Sequence, residues 1–205
     1  MSFSDALPAS RLAATRWCAF VLAALTTPAL PAPALAQTAA SGTGNIALSG
    51  RVAPVCILGA PSQTTIDLGQ LAAGSGARAG RIATIAAQSV TLPGSFCNFA
   101  GSTVTVAASA LVSADATTPP GGFARAVNYT ATASNWAAGN ASATTAALAN
   151  GAAQSSSGTG ATQATPKLAD IAVALSAFAV PGDAILISGT YSGSVTITLG
   201  PAITQ

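Results

Sequence analysis

The stretch AILISGTYSGSVTITL, Ala184–Leu199, puts Ile185, Ile187, Gly189, Tyr191, Gly193, Val195, Ile197 and Leu199 on one parity. From Ser188 onward the other parity is all Ser and Thr. Alternation at period two marks a β-strand with one side turned to an apolar core. We read it as the last and longest strand of the chain. Earlier segments repeat the pattern. LADIAVALSAFAV (Leu168–Val180) runs through Ile171, Val173 and Leu175, and Pro181-Gly182-Asp183 turns the chain into the last strand. STVTVAASAL (Ser102–Leu111) alternates through Val104 and Val106, and FARAVNYTATA (Phe123–Ala133) through Phe123, Val127 and Tyr129. Between these two lies the turn cluster ADATTPPGG, in which Asp115 can cap locally. Short alternating segments divided by Pro/Gly turns predict an all-β sandwich.

Towards the other end, NIALSGRVAPVC (Asn45–Cys56) sets Ile46, Leu48, Gly50, Val52, Pro54 and Cys56 on one side. This predicts a strand with one apolar face and a cysteine at its end. TTIDLGQL offers Ile66 and Leu68 before Gly69, and QSVTLPGSFC alternates through Val90 and Leu92 into a Pro93-Gly94 turn and Cys97. Thr132–Thr165 is low-complexity Ala, Ser, Thr, Gly and Asn, with Trp136 its one large residue. Recurrent Gly and Ser/Thr with no 3.6-residue stripe argue against a helix, so a long hairpin or surface loop is expected.

The chain has 205 residues, of which 6% are charged, and a net charge of +2. No basic field points to nucleic acid or an anionic membrane. Residues 1–36 read as a cleaved signal peptide: Arg11 and Arg16 precede the apolar WCAFVLAAL, and Ala34-Leu35-Ala36 has the small-x-small form before Gln37. The apolar run is about half the ~20 residues a membrane span needs, and Pro28, Pro31 and Pro33 follow it, so no membrane anchor is expected. Residues 37–205 then hold two cysteines, Cys56 and Cys97. An even pair in an exported chain reads as a disulfide, contributing roughly 4 kcal/mol on the chain-entropy model.

Histidine and glutamate are absent, and the carboxylates beyond residue 36 are Asp67, Asp115, Asp170 and Asp183. Catalytic triads and the common metal sites cannot be built from this set. Asp115 and Asp183 read as turn residues and Asp67 as strand-edge polar. We expect no enzyme, no cofactor and no metal site. Asn128-Tyr129-Thr130 and Asn140-Ala141-Ser142 match glycosylation sequons by chance in a Ser/Thr-rich chain.

ALSGRVAPVCIL, then IDLGQL, then VTLPGSFC, resembles the chaperone–usher fimbrial subunits of Gram-negative bacteria: a glycine before the first cysteine, an apolar-Leu-Gly step, and a second cysteine ending a strand. The C-terminal GTYSGSVTITLGP is similar to the spore coat protein U and archaic-pilus branch. The chain departs from the pattern where LGPAITQ replaces the usual terminal tyrosine, and in the Thr132–Thr165 insert.

The resemblance implies an incomplete, pilin-type immunoglobulin-like sandwich over residues 50–205, lacking its final strand and leaving a groove beside an unpaired edge. It implies that residues 37–49 form a donor segment with Ile46 and Leu48 as apolar plugs. The matching groove would be lined by Ile185, Ile187, Tyr191, Val195, Ile197 and Leu199. The implied partners are a periplasmic chaperone, an outer-membrane usher and neighbouring subunits of a fimbria or surface coat serving adhesion or biofilm, reached by export through the periplasm. Two alternatives stand beside this. The segment around Ile46 and Leu48 could be the first strand of a self-contained sandwich. The second-ranked reading is a monomeric secreted adhesion or carbohydrate-binding sandwich using the 132–165 loop.

Overall fold

The computed structural model describes residues 41–152 and 155–202; the expected signal peptide lies outside them. The chain divides into two units, residues 1–49 and 50–205. In the first, residues 41–49 carry no strand or helix, and Ile46 and Leu48 are 82% and 91% exposed.

The second unit is an all-β, immunoglobulin-like sandwich. One layer joins β1 (Cys56–Ile57), β2 (Gln88–Cys97), β8 (Lys167–Ala179), β5 (Ala126–Ser134) and β6 (Ala141–Thr144) in that order. The other joins β7 (Ser156–Thr159), β3 (Ser102–Ser113) and β10 (Tyr191–Pro201). The layers connect where Ala126 and Val127 of β5 pair with Val112 and Leu111 of β3. A separate parallel pair joins β4 (Phe123–Ala124) to β9 (Ile185–Leu186).

The core explains why so alanine-rich a chain can fold. Val104, Val106, Ala108, Ala131, Ala133, Ala141, Ala143, Ile171 and Val173 form one buried cluster with Tyr129 and Trp136. Small side chains let the two layers approach closely and still fill the space between them. At Gly158 the approach is very close: a Cβ there would stand 1.8 Å from the Ser142 carbonyl, so β7 can lie over β6 only with glycine.

The segment Asn45–Val55 is not a strand; pairing begins at Cys56. A strand exists by hydrogen bonding to a neighbour, and Pro54 also lacks a donor. IDLGQL is not a strand either: Asp67 Oδ1 accepts the Gly69 N–H in a local turn. Pro93-Gly94 is a bulge inside β2, where the register shifts by one and the Gly94 N–H is held by Asp170 Oδ1.

Phe123–Ala133 breaks into β4 and β5 at Arg125. Of the two readings of Thr132–Thr165, the hairpin holds at its start, where β5 turns back into β6 with Thr132 opposite Ser142; the surface loop does not, because the stretch supplies β6 and β7 and buries Trp136, Ala141, Ala143, Thr145 and Ala147. The strand foreseen over Ala184–Leu199 is two, β9 and β10, parted by Ile187–Thr190, and β8 is the longest strand instead.

Candidate functional site: the unpaired edge of the last strand

β10 pairs with β3 along its whole length and, among the described residues, with no other strand. In any strand alternate residues aim their N–H and C=O to opposite sides, so the far side of β10 presents a row of free main-chain groups. The side chains show the same incompleteness. Val195, Ile197 and Leu199 stand directly opposite Ala108, Val106 and Val104 of β3. Those three β3 residues are 3%, 0% and 3% exposed, whereas their β10 partners on the same face are half-buried. The apolar core is therefore covered at β3 and open at β10.

The cluster has other half-buried members. Leu175 and Phe178 of β8, Cys56 of β1 and the adjoining Leu58 pack against the same cluster without being enclosed. β1 comes within 8 Å of β10, Cα to Cα, yet no ladder joins them. Leu199, Ile197 and Val195 thus line the core side of a strand whose far edge is free.

Polar groups fix β10 from the inside. The Tyr129 hydroxyl, 3% exposed as a residue, reaches the Ser109 carbonyl at 2.8 Å and the Ser194 carbonyl at 3.1 Å. Its ring stacks on Phe178, centroids 5.8 Å apart, and burial raises its pKa above the ordinary phenol value. Ser109 Oγ accepts the Ser194 N–H at 2.9 Å. Here the β3–β10 register slips. A Cβ on Gly193 would meet the Ser109 and Ala110 carbonyls at 2.8 and 2.9 Å, so only glycine lets the strands cross the slip.

Of the six residues foreseen along the groove, Val195, Ile197 and Leu199 come together. Tyr191 packs in a second cluster with Ala124, Val127, Val180 and Leu186, its hydroxyl bonded to the Ile187 carbonyl. Ile185 sits on β9 opposite Phe123, and Ile187 lies in the break after it. The expected single stripe is interrupted because Gly189 adopts φ +146°, beyond ordinary L-residue backbone, with Ser113 close by.

The expected Cys56–Cys97 bond is present: the two are direct cross-strand partners with Cα atoms 4.1 Å apart. Such a bond belongs to an oxidising, extracytoplasmic compartment. Trp136 is buried, its Nε1–H donating to Ser102 Oγ, with Lys167 Nζ 5.8 Å from the ring centroid and bonded to the Asn135 carbonyl. Asp115 does cap its turn, through the Thr117 N–H and hydroxyl.

Sequence reasoning missed an ion cluster. Asp183 pairs with Arg78 at 2.7 Å and Arg81 at 3.2 Å, joining turns a hundred residues apart. No local pattern signals such a pairing. The hydrogen bond from Arg78 holds the Asp183 carboxylate below its usual range.

Among the described residues no helix is long and apolar enough to cross a membrane, and no three His, Cys, Asp or Glu side chains gather as a metal site. Comparisons of the chain with family models, curated proteins and solved structures find no match.

Proposed function

We propose that the chain is a structural subunit of a fimbria, pilus or surface coat, in which the open edge of β10 accepts an extended segment of a second copy. The carrying observation is the contrast across the β3–β10 ladder: Val104, Val106 and Ala108 are enclosed while Leu199, Ile197 and Val195 are not. The occupant is the stretch around Ile46 and Leu48. It is free of charge from Ser41 to Gly50, fully exposed, and carries apolar residues at strand spacing.

Adding it beside β10 satisfies the free main-chain row and drops Ile46 and Leu48 onto the half-buried cluster, a β-augmentation. Each buried side chain contributes roughly 1.5–3 kcal/mol. Before assembly a periplasmic chaperone holds the same edge, and an outer-membrane usher delivers the subunit to the growing polymer at the cell surface. The resemblance in sequence to chaperone–usher pilins and to the spore coat protein U branch supports those partners, and the disulfide supports the export route. The alternative, a sugar-binding monomer, loses its aromatic candidate in the 132–165 region, because Trp136 is buried there.

The test is Ile46→Asp with Leu48→Asp. The variant should remain folded and disulfide-bonded yet form no polymer under conditions in which the wild type does. Surface fibres built from the double variant, or a wild type that stays monomeric with no partner, would contradict the proposal.

A further inference from the structure

One side chain grips the chain just ahead of the disulfide. Asn98 Nδ2 donates to the Ala53 carbonyl at 2.9 Å, and its Oδ1 accepts the Val55 N–H at 2.7 Å. The Asn98 main-chain N–H donates to the Val55 carbonyl at 3.0 Å. A primary amide offers one donor and one acceptor side by side, as a peptide group does. Asn98 therefore substitutes for a strand neighbour where β1 has not yet begun. The next residue, Cys56, is tied to Cys97, which precedes Asn98. Pro54, inside the grip, has its φ fixed by its ring. Immediately upstream the hold stops: Val52 is 85% exposed and shares the parity of Ile46 and Leu48.

We propose that Asn98 is a positioning residue that holds Ala53–Val55 against the body of the subunit, making Val52 a third apolar plug and leaving a polymer joint without a flexible linker. This rests on the assembly reading above. If Ile46, Leu48 and Val52 all lie in the neighbour's groove, the clamped Ala53 follows at once, one residue or about 3.5 Å further along the chain. The two bodies then abut, and the fibre bends as a stiff rod. Without the clamp, Ala53–Val55 becomes a short free hinge ahead of the disulfide.

The experiment compares fibres of wild-type and Asn98→Ala full chains by electron microscopy. Alongside, calorimetry measures binding of a synthetic peptide of residues 43–53 to each monomer. Asn98→Ala should shorten the fibre persistence length by about two-fold or more, as a flexible joint does, while peptide affinity stays unchanged, because the acceptor groove does not include Asn98. Fibres as stiff as wild type, with the peptide bound normally, would overturn the clamp alone. A peptide that binds neither monomer would overturn the assembly reading and the clamp with it.

Should Asn98→Ala fail to fold, Asn98→Asp keeps the acceptor for the Val55 N–H and loses the donor to Ala53; it should give fibres of intermediate stiffness, and wild-type stiffness would overturn the clamp. In the wild-type monomer, hydrogen exchange should protect the Val55 amide while those of Ile46–Val52 exchange freely. Equal exchange across both would also overturn it.

Discussion

The hydroxyl of Tyr129 lies 3.1 Å from the carbonyl oxygen of Ser194, tying the centre of β5 to the last strand across the core. The same hydroxyl reaches the Ser109 carbonyl on β3, so one side chain holds both strands at their slip in register. Tyr129→Phe keeps the ring on Phe178 and removes the bond. It should cost about 1 kcal/mol, read as a lower urea midpoint with unchanged slope. Exchange at β10 amides should rise more than at β2. A midpoint equal to wild type would show that the hydroxyl is not holding β10.

Gly193→Ala tests the same junction from the other side. Its Cβ would press on two main-chain carbonyls that cannot rotate away, so β10 must shift. A loss of about 1–3 kcal/mol is expected, as for overpacking elsewhere. Gly200→Ala, on the same strand with nothing within 4 Å of a Cβ, serves as the control and should lie near wild type.

Reduction or Cys56→Ser should cost roughly 2–5 kcal/mol, the usual range for a native disulfide in a small exported domain. Denaturant titration of the oxidised and reduced chains measures it. The bond closes forty-one residues of separation and is the covalent anchor of β1, which has just two paired residues of its own. Reduced protein as stable as oxidised would contradict this.

Asp183 gives a pH dependence of known sign. Its folded pKa lies below the ordinary value, chiefly through the Arg78 hydrogen bond. In the window between the two values the unfolded chain binds more protons than the folded one. The ion cluster's stabilisation is therefore complete above the ordinary carboxylate range, about pH 4, and disappears as the pH falls through the lower folded value. Asp183→Asn should flatten that acid limb and leave stability near pH 7 to 8 independent of pH. A variant with an unaltered acid limb would show that the cluster is not responsible.

Period-two alternation located β3, β5, β8 and β10 because it reports which side chains face a core, and Val104, Val106, Ile171 and Val173 are all enclosed. The same rule failed at Asn45–Val55, where alternation is present but no neighbouring strand is; pattern specifies a face, and only a partner makes a strand. In the alanine-rich Thr132–Thr165 it left open a hairpin or a surface loop, since alanine carries too little apolar contrast to show that Ala141 and Ala143 are core. The disulfide was legible once residues 1–36 were set aside as an export signal, because just two cysteines, Cys56 and Cys97, follow them. Of the apolar stripe, Val195, Ile197 and Leu199 share a face as the alternation implies, but the backbone turn at Gly189 that removes Ile185 and Ile187 has no signature beyond a glycine. The Asn98 clamp and the Asp183 cluster depend on tertiary contacts that no local window contains.

Hydrogen exchange on the monomer with and without the peptide of residues 43–53 decides whether β10 is an acceptor edge. Alone, alternate amides from Val195 to Leu199 should exchange quickly on the open side while their β3 partners stay protected. With the peptide those amides should become protected, and a peptide carrying Asp at positions 46 and 48 should leave them exchanging. Full protection of β10 in the free monomer, or no change on adding the peptide, would contradict the account.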